Sequence, residues 1–448
     1  MAPVADLLDL CRAAVRAASG DDAVEAYASE TRRTEVKARA GGVESLTFSE
    51  TRGVGVRVVS AGRLGYAYAA DPSPDEVAEA VARARDNAAL ATPDEGNALP
   101  DPGRVEPMPQ LFRPDQAALA PERKVALALD LDRVSTRTDH RVQNLERASY
   151  GDAVSRVAIV STAGVEQEYA RTDCWCAVSA LAEADGETQT GFALRQARHI
   201  DELDWLACAG EAVDRAARLL GARKPATAVV PVVLDPHAAA AFLGVLVGAL
   251  SAEAVQKGRS LFASRAGEIV ASEAVTLVDD GRLVDGPAAA PFDDEGVPTR
   301  RTSLIQRGRL AQFLHNTYTA RRGRTLSTGN AGRAGYRSPP GVSATNLVLE
   351  PGKLQLPELL ARAEGGVYVQ DVTGVHSGAN PVSGQFSVGA TGLRITGGAL
   401  GEPLREMTIA STLLDMLAAV VATGADLQFL GSIATAPVLV QQMTVAGV

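Results

Sequence analysis

The chain has 448 residues, more than one hydrophobic core usually organises, and this length predicts two or three domains. Its hydrophobic content of 46% and charged content of 22% are typical of a folded globular protein and argue against general disorder. The formal net charge of −10 is modest, and no stretch concentrates Lys and Arg on one helical stripe. The composition therefore argues against nucleic-acid binding.

The N-terminal sequence MAPVADLLDLCRAAVRAASG predicts an amphipathic helix that ends at Gly20. It carries acidic residues where a signal peptide needs basic ones, so we expect a cytoplasmic protein. The chain has four cysteines and no Cys-x-x-Cys pair, which favours reduced, buried thiols. These cysteines are Cys11, Cys174, Cys176 and Cys208.

Residues 1–91 are predicted to form a first α+β unit. The run GVGVRVV, residues 53–59, alternates as a strand does, and the sequence from Ser73 to Glu76 is the capping signature of a helix. Six prolines then fall between residues 92 and 114, with few large apolar residues to hold that segment against a core. We therefore expect 92–114 to be a linker.

Residues 115–222 are predicted to form a second unit, in which two helices enclose an antiparallel meander of five strand-like runs. Residues 227–448 form a third, strand-rich unit, where GQFSVGATGLRITGG, residues 384–398, alternates as the two arms of a hairpin would. No repeat of fixed period is visible. The predicted fold is an α+β protein of three consecutive mixed units with antiparallel sheets.

The stretch FLGVLVGALSAEAVQKG, residues 242–258, overlaps a run from Ala238 to Ala252 that carries no charge. The run is shorter than the roughly 20 apolar residues that a membrane-spanning helix needs, and the uncharged C-terminal run 427–448 alternates as a buried strand does. We therefore expect no membrane segment. Periodicity predicts a helix that is apolar all round and hence buried.

The usual sequence signs of catalysis are missing. The five histidines are scattered without a His-Glu-x-x-His pair, and no Gly-x-Ser-x-Gly motif is present. The acidic clusters Asp279-Asp280 and Asp293-Asp294-Glu295 each precede a glycine, which favours turns over a catalytic or metal site. For the arginine-rich region 321–337, a solvated or interface loop is favoured over an anion site.

Two glycine-rich segments are candidates for binding. GVHSGANPVSGQFSVG, residues 374–389, could line a groove and let a peptide backbone approach closely, with a structural turn as the alternative. STGNAGRAG, residues 327–335, has neither the lysine nor the element order of a nucleotide-binding loop and favours a tight loop or an interface.

At this point the sequence resembles the TldD/PmbA family of metallopeptidases over nearly its whole length. The resemblance rests on KGRSLFASRAGEIVAS (257–272), FDDEGVPTRRTSLIQRGRL (292–310), STGNAGR (327–333) and GVHSGANPVSGQFSVGA (374–390). The last segment is similar to the TldE, or PmbA, branch. The chain departs from the branch pattern at Ser411 and Thr412, which stand in place of the usual Gly-Asn.

The resemblance implies that, in the TldD branch, a helix with the motif His-Glu-x-x-x-His precedes the Lys-Gly segment. A cysteine near the C-terminus then completes the zinc site of that branch. Counted back without gaps from Lys257, the two histidine positions fall on Leu243 and Gly248, and that of the catalytic glutamate on Gly244. The cysteine region corresponds to residues 429–437, which contain no cysteine. The resemblance thus implies no catalytic residue and no metal in this chain.

The resemblance also implies a function, that of a metal-free subunit paired with a TldD-like zinc peptidase, with the zinc in the partner. Such a heterodimer would act in the cytoplasm on unfolded peptides or on precursors such as those of peptide antibiotics. The expected groove residues are His376, Ser377, Asn380 and Gln385, with Ser327, Gly329, Asn330 and Arg333 as a weaker candidate loop.

Two other functions stay open. The chain could be an autonomous hydrolase whose site is built from dispersed residues such as His315, His376 and the acidic clusters. It could also be a homodimeric peptide-binding protein without a peptidase partner.

Overall fold

The structure is a computed structural model that describes residues 6–447. The first unit consists of helix α1 (Leu7–Arg16), strands β1 (Ala23–Arg39), β2 (Gly42–Ser60) and β3 (Arg63–Ala70), and helix α2 (Pro74–Leu90). The predicted capping box is present: the Glu76 backbone N–H donates to Ser73 Oγ, and a Glu76 carboxylate oxygen accepts from the Ser73 backbone N–H at 2.7 Å.

The segment 92–114 carries one turn of 3-10 helix, Pro109–Leu111, and ends where the short helix α3 (Pro114–Ala117) begins. It is held more firmly than its composition predicts. Met108 and Leu111 are buried against Ala289 of the third unit, and the Tyr318 hydroxyl donates to Asp94 at 2.9 Å. The few large apolar residues of this segment thus contact the third unit.

The second unit consists of α4 (Pro121–Thr138), strands β4 (Asn144–Ser161), β5 (Glu166–Ala184) and β6 (Glu187–Ala197), a 3-10 turn (Ile200–Glu202) and α5 (Trp205–Ala217). The three strands form the predicted antiparallel meander. The five predicted runs are three long strands, because β4 and β5 each join two of them. Periodicity alone does not reveal that an interruption in the apolar pattern is bridged by continuous pairing.

The first two units share one six-stranded sheet of order β3-β2-β1-β4-β5-β6, in which β1 pairs antiparallel with β4. Each half contributes the same series of one helix, three strands and one helix. Gly65 in β3 and Gly191 in β6 occupy matching positions, because a Cβ at either would lie about 2 Å from a backbone oxygen of the helix that follows, α2 or α5. This internal duplication was not visible as a sequence period.

The third unit has 14 strands and six helices within the described residues, most of them short. In chain order they are β7 (Ala228–Leu234), α6 (Pro236–Ala249), α7 (Ala252–Gln256), β8 (Leu277–Asp280), β9 (Arg301–Gln306), β10 (Arg309–Leu310), α8 (Thr317–Arg322), β11 (Ala331–Gly332), β12 (Gly341–Val342), β13 (Leu347–Leu349), α9 (Leu356–Arg362), β14 (Val367–Thr373), α10 (Val375–Gly378), β15 (Gln385–Thr396), β16 (Ala399–Thr412), α11 (Leu413–Ala418), β17 (Val420–Thr423), β18 (Gln428–Leu430), β19 (Ile433–Thr435) and β20 (Val438–Ala446).

These strands form two larger sheets and one small hairpin. One sheet has the order β16-β15-β14-β7-β20-β17, and a further β16–β20 pairing closes five of its strands into a barrel. The other has the order β10-β9-β8-β13-β19-β18. Most pairings are antiparallel, and β14–β7 and β13–β19 are parallel. The protein is thus a mixed α+β structure with a strand-rich C-terminal unit, as predicted.

The hairpin predicted within 384–398 is wrong, because Gln385–Thr396 is one continuous strand. A Cβ at Gly392 would lie 1.9 Å from the Tyr368 carbonyl oxygen of the neighbouring strand. This glycine therefore permits a close approach between β14 and β15 and does not make a turn.

Helix α6 lies in the largest hydrophobic core, between the barrel and the second sheet. Across residues 6–447, no helix combines the length and apolarity needed to cross a lipid bilayer. All four cysteines are buried and unpaired, as predicted.

Candidate functional site

Helix α6 starts at a strongly anchored residue. Asp235 caps the helix by accepting from the His237 backbone N–H at 2.9 Å, and Arg215 of the second unit donates to both oxygens of the same carboxylate at 2.9 Å. Burial would raise the pKa of Asp235, but the hydrogen bond from His237 and the charge of Arg215 outweigh it and hold the pKa below its usual range. The position of α6 is thus fixed relative to the second unit.

The α6 face formed by Gly244 and Gly248 is exposed, whereas Leu243 is buried in the core. A Cβ at Gly244 would lie 3.7 Å from Ile433 Cδ1, and a Cβ at Gly248 would meet nothing within 4 Å. The expectation that this helix is buried all round was therefore wrong. Two glycines spaced four residues apart leave an open surface on one side.

The segments that the resemblance assigns to a metal site are adjacent in space, since α6 packs beside strands β18 and β19. Zinc requires nitrogen, sulfur or carboxylate donors, usually four in tetrahedral arrangement. Leu243, Gly244 and Gly248 supply no donor side chain, and residues 428–435 contain neither Cys, His, Asp nor Glu. The residues of this region do not fit a zinc ion.

No other part of the described chain replaces this site. Within 6–447, no group of three or more His, Cys, Asp or Glu side chains is placed so that it could hold a metal ion. His315 lies in the segment before α8, and His376 lies in α10, directly after strand β14.

An open groove of about 860 Å³ lies next to α6. Three of the candidate groove residues, Ser377, Asn380 and Gln385, line it together with Phe386. The Phe386 ring packs against Phe242 of α6, with 4.7 Å between the ring centroids. The groove and the helix that carries the degenerate metal positions are therefore in direct contact.

The groove loop is shaped by its own polar groups. Asn380 Oδ1 accepts from the backbone N–H groups of Val382 and Ser383, and the Gly384 N–H donates to the Asn380 carbonyl at 2.8 Å. The loop also contacts the Lys-Gly motif, because the Leu261 N–H donates to the Pro381 carbonyl. The motifs at 257–272 and 374–390 thus meet beside α6.

Two residues that sequence reasoning did not place in the groove also line it. Ser411 and Thr412, at the end of β16, line the groove opposite Gln385. Their departure from the branch pattern was the signal that could have found them. His376 is exposed and precedes Ser377 in α10, but it is not among the residues that line the groove.

The weaker candidate loop, residues 327–333, does not line the groove. Asn330 is buried and donates to Asp279 at 2.6 Å, and Ser327 donates to the His315 carbonyl. Gly329 has φ of +76°, and a Cβ there would lie 2.6 Å from the Pro298 carbonyl oxygen. Of the four predicted residues, Arg333 lines a separate cleft of about 570 Å³ between the shared sheet and the third unit.

Arg333 belongs to a buried ionic group that joins the first and third units, called here the Glu25 cluster. Arg57 donates to Glu25 at 2.5 Å and to Glu295 at 2.7 Å, and Arg333 donates to the other oxygen of Glu25. All four side chains are at most 6% exposed. Two arginines and two glutamates in alternating contact balance the charge.

The acidic clusters are structural. Asp293 accepts from the backbone N–H groups of Glu295 and Val297, so the turn interpretation holds there, and burial together with the nearby Glu295 raises the pKa of Asp293. In the other cluster, Asp280 Oδ1 accepts from the Arg282 backbone N–H at 2.9 Å, so the turn interpretation holds for Asp280, whereas Asp279 lies within strand β8. Burial raises the pKa of Asp279 to about 6.

Fold and site together define a three-unit α+β protein with an open groove beside a helix whose positions 243, 244 and 248 carry no metal-donor side chain. Comparison with protein families matches all three units: residues 24–88 match PmbA/TldA metallopeptidase domain 1, 114–220 the central domain, and 227–447 the C-terminal domain. The chain belongs to the PmbA/TldD metallopeptidase family.

Curated relatives agree with this assignment. Metalloprotease PmbA of Escherichia coli O157:H7 is 29% identical over 441 residues, covering 97% of this chain and 94% of the relative. A metalloprotease TldD homolog of Haemophilus influenzae is 30% identical over 347 residues, covering 73% of this chain and 70% of the relative.

Solved structures share the fold. A proposed modulator of DNA gyrase from Thermotoga maritima has a TM-score of 0.88 and 27% identity, with 95% of this chain and 96% of that one covered. TldE from Thermococcus kodakarensis has a TM-score of 0.90 and 22% identity, with 98% and 99% covered. At that identity, the second comparison describes the fold alone.

Proposed function

We propose that this chain is the metal-free, TldE-like subunit of a two-subunit zinc metallopeptidase, and that a TldD-like partner carries the zinc. The observation that supports the proposal most strongly is which side chains helix α6 carries at the positions of the metal site. The positions that correspond to two metal ligands and a general base hold Leu243, Gly244 and Gly248, and the surrounding strands offer no replacement donor. Loss of a complete ligand set together with its base supports a subunit that assists catalysis.

The groove supports a role in holding peptide. It is open along its length, and its polar lining comes from short side chains on strand ends and a turn. Such a surface can bind the extended backbone of a peptide with little selectivity for the side chains of that peptide. We propose that Ser377, Asn380, Gln385, Ser411 and Thr412 complete a substrate chamber for unfolded or precursor peptides in the cytoplasm.

Reconstitution tests the subunit role. This chain is co-expressed with a TldD-like chain from the same genome, and cleavage of an unfolded peptide is compared for the copurified complex, for each subunit separately, and for this chain supplemented with Zn²⁺. We expect a stable complex and cleavage that depends on the TldD-like chain. Zinc-dependent cleavage by this chain alone, at the rate of the complex, would sink the proposal in favour of an autonomous hydrolase.

A substitution separates groove binding from subunit assembly. Gln385→Arg places a long cation in the groove, while Thr325→Arg places the same group at an exposed position outside it. We expect Gln385→Arg to lower kcat/KM of the complex by at least about tenfold, a cost of about 1.4 kcal/mol, without changing complex formation. Equal kinetics for the two variants would remove the groove from the substrate path.

A further inference from the structure

The sheet shared by the first two units faces the third unit across a cleft made of two cavities. The first cavity has a volume of about 570 Å³ and is lined by Arg333, and the second has a volume of about 390 Å³. Thr31, Ser155 and Arg171 line both, so the cavities meet at these three residues. The two cavities together are called here the Arg171 cleft. This cleft shares no lining residue with the groove beside α6.

Small side chains form the floor of the Arg171 cleft. Strand pairing places Thr31 opposite Ser155 and Ser155 opposite Arg171, so these residues form one row across β1, β4 and β5 on the same face of the sheet. Ser29 and Ala153 beside this row are also short. The third unit faces them with further small residues, which are Ala288, Ala290, Gly332, Ala334, Gly335 and Ala344. Large side chains therefore do not fill the space between the units here, and the cleft stays open.

The guanidinium of Arg171 has nitrogens that the protein does not use. Its Nε lies 3.2 Å from Asp173 Oδ2 in an ion pair, and the side chain is 28% exposed. Within residues 6–447, no atom accepts a hydrogen bond from Nη1 or Nη2 of Arg171. Two other arginines of the cleft are engaged, since Arg198 donates to Asp173 and Arg333 donates to Glu25. Nη1 and Nη2 of Arg171 thus form an unoccupied fork, which matches the two oxygens of a carboxylate.

A hydroxyl donor lies in the same row as this fork. Thr31 Oγ1 and Ser155 Oγ are 3.3 Å apart, so one of these hydroxyls donates to the other. Neither makes another side-chain hydrogen bond to the residues that the structure describes. The hydroxyl that accepts therefore keeps its own O–H for another group. Because the row ends at Arg171, this O–H adds a donor close to the fork.

The second cavity supplies an acceptor without a partner. Gln196 Oε1 accepts no hydrogen bond from the described part of the chain, and a buried amide oxygen in this state is costly unless a ligand N–H reaches it. Gln196 pairs with Trp175 of β5, and both line the second cavity. Trp175 follows Arg171 by four residues, a distance of about 13 Å along the strand. The donors at Arg171 and the acceptor at Gln196 are thus separated by about four residues of an extended peptide.

The charges near Arg171 favour a ligand with a single negative charge. Asp173 contacts both Arg171 and Arg198, so these three side chains leave one positive charge in excess. Burial raises the pKa of both carboxyls at 293–294 in the first cavity, which lowers their negative charge. Asp285 of the second cavity is exposed, so solvent screens it. A carboxylate balances the excess charge, whereas a phosphate dianion exceeds it.

We propose that the Arg171 cleft binds the C-terminal end of a short peptide, with the peptide carboxylate on Nη1 and Nη2 of Arg171 and a preceding backbone N–H on Gln196 Oε1. The free hydroxyl of the Thr31–Ser155 pair donates to the same carboxylate. The cleft and the groove beside α6 are lined by different residues, and binding to the cleft is measured on this chain alone. Failure of this proposal therefore leaves the proposed peptidase function standing, and the reverse also holds.

Fluorescence of Trp175 tests the proposal, because its indole lines the cleft. The chain has two tryptophans, so Trp205→Phe leaves Trp175 as the only one. The full chain with this substitution is titrated with an N-acetylated Ala/Gly pentapeptide that has a free C-terminal carboxylate, and with the same peptide as its C-terminal amide. We expect the acid to change the emission with a Kd of about 0.1–1 mM and the amide to bind at least about tenfold more weakly. Equal affinities for acid and amide, or no binding of the acid, overturn the proposal.

Two further titrations distinguish a peptide end from other anions. Sodium acetate supplies the carboxylate without a peptide backbone, and inorganic phosphate supplies a different anion. We expect both to bind at least about tenfold more weakly than the pentapeptide acid. Acetate that binds as tightly as the pentapeptide would show that the backbone makes no contact at Gln196. Phosphate that binds as tightly would show a general anion site, and either result overturns the assignment to a peptide end.

Substitutions in the same background locate the site. Arg171→Gln removes the fork, and we expect it to raise the Kd of the pentapeptide acid at least about tenfold, to the value for the amide. Arg307→Gln, at an exposed arginine outside the cleft, is the matched control and should leave the Kd unchanged. Because Arg171 also pairs with Asp173, Ser155→Leu is the second variant: it fills the floor of the cleft and keeps the arginine. Binding of the acid that is unchanged by Ser155→Leu, or by a folded Arg171→Gln, overturns the proposal.

Discussion

The α6 face and the Glu25 cluster use charge in opposite ways. The Glu25 cluster concentrates two glutamates and two arginines in a buried contact between units. The α6 face, where the resemblance places metal ligands and a base, has two exposed glycines and a buried leucine. Ionisable residues in this chain thus join its units, and none of them lies where the resemblance would require chemistry.

The largest expected effect lies in the Glu25 cluster. Arg57→Ala leaves Glu25 and Glu295 buried without one of their two cations, and we expect the free energy of unfolding in urea to fall by about 3–5 kcal/mol. Arg307→Ala removes an ion pair at 3.2 Å whose side chains are both more than 70% exposed, and it should cost less than about 0.5 kcal/mol. Similar losses for the two variants would show that the cluster is not what joins the units.

The second effect depends on pH and concerns Asp279, which binds the candidate loop at Asn330. Its pKa is raised to about 6 in the folded state, so the folded protein favours the protonated carboxyl. The contribution of Asp279 to the free energy of unfolding is therefore fully present below about pH 4. It is lost as the pH rises through about 6, and the loss amounts to at most about 3 kcal/mol.

Asp279→Asn removes that titration. Relative to wild type, its unfolding free energy should therefore improve by up to about 3 kcal/mol between pH 4 and pH 7.5, measured by urea unfolding at each pH. A difference between variant and wild type that stays constant over this range would contradict the raised pKa.

The smallest effect lies at the α6 face itself. Gly244→Ala adds a Cβ at ordinary contact distance from Ile433 within a helix, so we expect thermal unfolding to show a gain of about 0.5–1 kcal/mol. Gly191→Ala is the matched control, because its Cβ would lie 2.2 Å from a backbone oxygen of α5, and it should lose about 1–3 kcal/mol. A loss at Gly244 would mean that this face is closed by contacts within the chain.

Local signals in the sequence were sufficient for part of the fold. The Ser73–Glu76 capping box forms as predicted because its donors and acceptors lie within three residues of one another. The groove residues Ser377, Asn380 and Gln385 were predicted together because one turn of the chain carries them. Ser411 and Thr412 complete the groove from a strand that is distant in sequence, so no local pattern places them there.

Other features depended on contacts that sequence periodicity does not encode. Five apolar runs became three strands, and a predicted hairpin became the single strand β15, because pairing continues across a glycine or a short interruption. The glycines there allow close backbone approach, which in sequence looks the same as a turn. The duplication of the shared sheet was equally hidden, because it lies in the order and pairing of the strands and not in a repeated sequence period.

The sequence by itself determined the α+β class, the absence of ligand-type side chains at 243, 244 and 248, and the family resemblance that the comparisons then established. These are properties of residue identity and spacing. Only the tertiary structure decided that Gly244 and Gly248 face outward, that Phe242 joins α6 to the groove, and that Glu25, Arg57, Glu295 and Arg333 meet. Those contacts join residues up to 308 positions apart, and burial and packing between units, not local propensity, bring them together.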